Sequence, residues 1–131
     1  MDKSDLPFLT VGRLAKLIES SEVSPVEVAE AYLDRIQKIN PLINAYITTA
    51  DEQVLLDAKV AESEIANQRY LGPLHGIPFA VKDQFLTNGL TTTNGSQLLS
   101  DFVPDSDATV VSMLKAAGGL LLGKLNMRLI I

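Results

Sequence analysis

Gly72-Pro73-Leu74-His75-Gly76-Ile77-Pro78-Phe79-Ala80-Val81-Lys82-Asp83 is the stretch on which the fold turns. Residues 72–78 hold two glycines and two prolines in seven positions. That composition breaks helices and predicts a shaped loop. Phe79-Ala80-Val81-Lys82 then predicts a short apolar strand ending in a charge. Lys82 has two readings on physical grounds. A desolvated lysine has its pKa lowered and can serve as a base or proton relay for a serine nucleophile. The ordinary reading is a strand-end lysine that reaches solvent, paired with an acid such as Asp83.

Downstream, Thr87 to Ser100 is polar and loop-like. Asp107 is expected to cap a helix with Val110, Val111, Leu114 and Ala117 inward, closed by Gly118-Gly119. Leu120 to Leu122 suits a buried parallel strand. Strand, helix and strand from Phe79 onward form a βαβ pattern, so the fold class read from the sequence is α/β.

Upstream, the periodicity is helical. Val11, Leu14, Leu17 and Ile18 predict an amphipathic helix over 10–21, with Arg13, Lys16 and Glu19 facing away. Ser24, Pro25 and Glu27 form a capping box that starts a second helix. Its stripe is Val28, Tyr32, Leu33, Ile36 and Ile39, and Asn40-Pro41 is expected to stop it. Ile43, Ala45 and Ile47 alternate with Asn44, Tyr46 and Thr48, which predicts a half-buried strand. Asp51 is expected to cap a third helix carrying Val54, Leu55, Ala58 and Ile65.

Composition narrows the function classes. The 131 residues are 47% hydrophobic and 21% charged, as in globular proteins. A formal net charge of −5 argues against an electrostatic nucleic-acid binder. Cysteine is absent, which excludes disulfides, thiolate metal sites and a cysteine nucleophile. A single histidine, His75, excludes a multi-histidine metal site. The acidic start at Met1 to Thr10 resembles neither a secretory signal nor a transit peptide. No apolar run approaches the ~18 residues of a membrane span. A cytoplasmic protein is the expectation. The apolar end Leu129-Ile130-Ile131 follows directly on a predicted buried strand. It leads us to expect further chain beyond it and exposed apolar surface from Leu120 onward.

The ordered blocks resemble one family. The run from Gly72 to Asp83 resembles the start of the amidase-signature core. Thr92-Thr93-Asn94-Gly95-Ser96 resembles its TT-x-GS block, and Asp107-Ala108-Thr109-Val110-Val111 its next helix. Ala116 to Met127 resembles its AGA-x-x-x-GKTNM strand. The resemblance covers nearly the whole chain. It implies the N-terminal portion of a single amidase domain, with residues 1–70 a helical segment and 71–131 the start of a mixed sheet wrapped by helices. It also implies amide hydrolysis by a serine nucleophile, a bridging serine on a cis peptide bond, and a lysine. Lys82 matches the catalytic lysine by its place after the Gly-Ile-Pro-Phe-Ala-Val run. No cofactor, metal or membrane is implied, and nucleic acid is not expected as a direct partner. The substrate is a small-molecule amide, and the oligomeric state is left open.

The two serines do not map. In the family both lie in a Gly/Ser-rich stretch downstream of the GKTNM block. None of the serines here, from Ser4 to Ser112, stands in that context, and Ser96 is read as structural or pocket-forming. The chain is therefore expected to be inactive alone. Leu125 stands where the family has threonine, Arg128-Leu129-Ile130 replaces an acidic-aromatic continuation, and Gln84 replaces asparagine. Three functions remain open: an amide hydrolase, the amidase subunit of a tRNA-dependent amidotransferase, and a truncated product without activity. Other motifs are read as structural. Gly118 to Lys124 has phosphate-loop spacing, but Leu125 replaces the magnesium-holding hydroxyl. His75 is expected to shape its loop, Lys124 to be structural, and Glu62 and Glu64 to face solvent.

Overall fold

The computed structural model describes residues 1–127. A 3-10 turn, Lys3–Phe8, leads into α1 (Val11–Glu19) and α2 (Pro25–Ile43). Then come β1 (Tyr46–Thr49), α3 (Asp51–Ala66), β2 (Pro78–Lys82), α4 (Thr109–Ala116) and β3 (Leu120–Leu125). The strand order is β1-β3-β2. β3 runs parallel to β2, which is the expected βαβ pairing, and antiparallel to β1. The sheet is therefore mixed. Among the described residues no helix is long and apolar enough to cross a membrane.

The central strand carries two cores. Leu120 and Leu122 pack with Ala29 and Leu33 of α2 and Val54, Ala58 and Ala61 of α3. Leu121, one residue out of phase, packs with Val81 of β2 and Val111 of α4. Strand alternation thus puts helices on both faces, the α/β arrangement. A third cluster joins Leu14, Leu17 and Ile18 of α1 to Val28 of α2 and Ile77, just before β2. Of the stretch from Leu120 onward expected to expose apolar surface, Leu120 to Leu122 are buried in the sheet centre. Large exposed apolar side chains lie instead at Leu42, Ile43, Val60 and Met113. The expectations for residues 128–131 fall outside the described residues.

Local signals held unevenly. The capping box forms as read: Ser24 accepts from the Glu27 amide and Glu27 accepts from the Ser24 amide. Val11 and Val110, expected inward, are exposed. α2 does not stop at Asn40-Pro41. It continues to Ile43 and closes on Asn44, in the left-handed region at φ 49°. Proline in the last turn forfeits only one hydrogen bond, which the helix tolerates. Asn40 has another task. Its side-chain amide donates to the Tyr46 carbonyl and its oxygen accepts from the Tyr46 amide. That clamp fixes the start of β1, and Tyr46 packs against the core while Ile47 faces out. The half-buried strand is present, but it starts at Tyr46 rather than at Ile43. Asp51 and Asp107 are not caps either: Ala50 and Ala108 occupy those positions. Asp51 stands in the first turn, where its charge suits the helix dipole.

Gly123 pairs with Thr49 of β1, and the β1 backbone leaves no room for a side chain there. A Cβ there would lie 2.3 Å from the Thr48 carbonyl oxygen and 2.9 Å from Thr49 Cα. Both are backbone atoms, so relief requires moving the strand. Gly123→Ala is expected to cost about 1–3 kcal/mol, as overpacking does. Urea unfolding of the 131-residue chain measures this, and an unchanged midpoint would show that β1 yields freely.

Candidate functional site

Lys82 ends β2, opposite Leu125 of β3. Its side chain is exposed and no ion pair to it exists among the described residues. The alternation that buries Val81 against α4 turns the next side chain to the other face. The ordinary reading paired Lys82 with Asp83. The structure pairs Asp83 with a different lysine.

Asp83 and Lys124 are both 0% exposed, and Lys124 Nζ stands 3.3 Å from Asp83 Oδ1. Three blocks that are far apart in sequence meet here. The Asp83 amide donates to the Leu125 carbonyl, continuing the β2–β3 ladder one step past Lys82. Asp83 Oδ2 accepts from the Thr93 amide at 3.1 Å and from the Thr93 hydroxyl. The Asp83 carbonyl accepts from Asn94. Lys124 Nζ donates to Thr92 Oγ1 at 2.6 Å. Thr92 and Thr87, both buried, share a further hydroxyl contact. Asp83 Oδ1 faces the Lys124 amine and has no well-aligned hydrogen-bond donor among the described residues. Burial pushes the Lys124 amine below the ordinary lysine value, and Asp83 partly offsets that shift.

Lys124 was read as structural, and its buried contacts agree. The phosphate-loop spacing is likewise empty of that function, because the Gly118 to Lys124 segment is β3 and the lysine faces a carboxylate. His75 shapes its loop as expected. Its Nδ1 accepts from the Leu71 amide, which leaves Nε2–H to donate to Glu64 Oε2 at 3.1 Å. Glu64 is therefore engaged rather than solvated, and it also lies 3.8 Å from Arg69. At the far end of α4, Asp107 accepts from the Asn88 amide and from Lys115. Burial opposes ionisation of Asp107, but these donors win and hold its pKa below the ordinary value. A concavity of about 690 Å³ lies between Thr49, Asp57, Asn88 and Lys115. Lys82 does not line it.

Sequence reading missed the Asp83–Lys124–Thr92–Thr93 cluster. The available signal was a lysine directly after Leu120-Leu121-Leu122-Gly123, since an apolar strand offers a charge no solvent route.

The amidase family model matches residues 27–130. A glutamyl-tRNA(Gln) amidotransferase subunit of Moorella thermoacetica is 43% identical over 123 residues, 94% of this chain and 25% of that protein. Its counterpart from an Azoarcus species is 48% identical over 118 residues, 90% of this chain and 24% of its own length. The chain thus spans about a quarter of the length of these curated relatives. Among solved structures, the native peptide amidase of Stenotrophomonas maltophilia superposes with a TM-score of 0.87 at 33% identity, over 93% of this chain and 26% of that one. With the family match running from α2 through β3, and with helices on both faces of the same partial mixed sheet, the chain belongs to the amidase family.

Proposed function

We propose that this segment supplies the lysine of an amide-cleaving acyl-transfer site, with Lys82 in that role. One observation carries the reading. Lys82 stands at the end of a sheet strand with its amine unpaired among the described residues, while the neighbouring carboxylate is taken by Lys124. In the proposed step the neutral Lys82 amine accepts the proton of a serine hydroxyl through a bridging serine. The freed oxygen attacks the amide carbonyl. The amine leaves with a proton, and water releases the acyl group. The resemblance assigns neither serine to a residue of this chain. The desolvation that a neutral lysine needs must also come from groups other than the described residues, because Lys82 is exposed among them. The substrate is a small-molecule amide, and the setting is cytoplasmic.

A second reading is favoured by the matched relatives, which are named as glutamyl-tRNA(Gln) amidotransferase subunits. There the amide is glutamine, and the released ammonia passes to a partner subunit. One experiment addresses both. This chain replaces the corresponding quarter of the Stenotrophomonas maltophilia peptide amidase, and the purified chimaera is assayed on peptide amides and on glutamine. Turnover of either amide is expected, with glutamine preference supporting the second reading. A chimaera that unfolds cooperatively yet turns over neither would overturn the proposal.

A further inference from the structure

The loop between β2 and α4 carries two asparagine–glycine pairs, Asn88-Gly89 and Asn94-Gly95, to which amide cleavage by Lys82 gives no part. Both asparagines are exposed. A glycine that follows asparagine has no Cβ to keep its nitrogen from the side-chain carbonyl, and such pairs lose ammonia spontaneously. We infer that Asn94 is a site of spontaneous conversion to aspartate and isoaspartate, and that the fold selects it over Asn88.

The chemistry needs only water. The Gly95 nitrogen gives its proton to a solvent base and bonds to Asn94 Cγ. The Cγ–Nδ2 bond breaks, and Nδ2 takes up a proton and leaves as ammonia. Water then opens the cyclic imide at either carbonyl. One opening gives aspartate; the other gives isoaspartate, which lengthens the main chain by one carbon. Both products add a negative charge.

Ring closure requires the chain to turn about the Asn94 Cα–C bond, which moves the residues after it. What holds that downstream segment therefore sets how readily the site opens. Thr93 to Ser96 form a turn: the Ser96 amide donates to the Thr93 carbonyl at 2.9 Å, and Asn94 and Gly95 have φ of 50° and 71°, the type I′ pattern. Gly95 is buried in the closed turn, and its amide donates to Thr93 Oγ1 at 3.2 Å, so the reaction runs from the opened turn. Opening breaks these two hydrogen bonds and takes a non-glycine residue out of the left-handed region, which relieves strain. The upstream ties, from the Asn94 amide to the Asp83 carbonyl and from Thr93 to the Asp83 carboxylate, stay in place. Downstream, the amides of Leu98, Leu99, Ser100 and Phe102 bond within the segment itself, and Leu98 is 96% exposed. Its first hydrogen bond to the fold among the described residues is the Phe102 carbonyl, which accepts from Thr92.

Asn88 is placed differently. Its turn closes from the Leu90 amide to the Thr87 carbonyl at 3.2 Å, and the Gly89 amide is held across the loop by the Pro104 carbonyl at 2.9 Å. The next residue, Leu90, packs against the core of Val81, Val111 and Leu121, and its carbonyl accepts from the Thr87 and Thr92 hydroxyls. Turning the chain after Asn88 pulls on all of these.

The test incubates the 131-residue chain in heavy-oxygen water at mildly alkaline pH, so that each event leaves a heavy oxygen. Peptide mapping by mass spectrometry reads both sites, electron-transfer fragmentation separates aspartate from isoaspartate, and circular dichroism checks the fold. In the folded chain Asn94 should convert about tenfold faster than Asn88, the effect of one or two additional hydrogen bonds. In concentrated urea the two rates should agree within about twofold, because the fold no longer holds either turn. Leu90→Ala loosens the Asn88 turn and should raise its rate about threefold, with the Asn94 rate as in the parent. Equal rates in the folded chain, Asn88 ahead of Asn94, or an Asn94 that does not convert would each overturn the inference. A preference for Asn94 that persists in urea would also overturn it, since the fold would then select nothing. Should Leu90→Ala not fold, the comparison of folded and urea-treated parent decides.

Discussion

In the peptide-amidase chimaera, Lys82→Ala is expected to lower kcat by about 10²–10⁴-fold, the range for loss of a positioned general base. The same substitution in the 131-residue chain should shift stability by no more than about 0.5 kcal/mol, because exposed side chains without partners contribute little. Lys82 meets both conditions among the described residues. Lys82→Arg separates proton transfer from simple charge. Arginine keeps the positive charge and most of the reach, but it stays protonated at any working pH. If Lys82 must accept a proton, Arg should be nearly as inactive as Ala. If it only holds substrate by charge, Arg should retain much of the rate. Steady-state kinetics of the three chimaeras, with urea unfolding of the three short chains, reads both outcomes. An active Lys82→Ala chimaera would sink the assignment.

Lys82 could be placed from sequence because its strand is bracketed by local signals. A proline-glycine loop precedes it, and Val81 is apolar enough to be buried. The two cores around β3 were legible for the same reason, since Leu120 to Leu122 could only be interior. Errors came where one side chain outvotes a pattern. The alternation read from Ile43 fell short because α2 runs on to Ile43 and Asn40 clamps both polar groups of Tyr46, so that the strand starts there. Asp107 looked like a cap, but its carboxylate is used across the fold by Asn88 and Lys115. The buried Asp83–Lys124 pair was hardest of all. It depends on the β2–β3 register, in which a bulge between Phe79 and Ala80 brings Lys124 level with Val81. No periodicity in either strand encodes that offset.

Lys124→Met should cost the fold about 3–5 kcal/mol, the usual result of removing one partner from a buried ion pair. The loss is not mainly that of an attraction. Asp83 is 0% exposed, and without Lys124 its Oδ1 would have neither a hydrogen bond nor a counter-charge among the described residues. Neutralising both ends should therefore cost less than neutralising one. Asp83→Asn/Lys124→Met keeps an acceptor for the Thr93 amide and strands no charge. A coupling energy of about 2–3 kcal/mol between the sites is expected, at the upper end for residues in contact. Alkaline titration gives an independent check. The folded Lys124 amine has its pKa below the ordinary 10.5, so between those two values the unfolded chain binds more protons and stability rises with pH. Tyr32 and Tyr46 act oppositely: burial raises their phenol pKa values, so their contribution is lost as pH climbs past 10.0. Both tyrosines are common to parent and variants, so the difference between the parent and the double variant isolates Lys124. That difference should grow in the parent's favour as pH rises through the lysine window. A difference independent of pH would mean that Asp83 offsets the desolvation of the Lys124 ammonium in full, and a double variant no better than Lys124→Met would mean that Asp83 is not stranded by the loss of its partner.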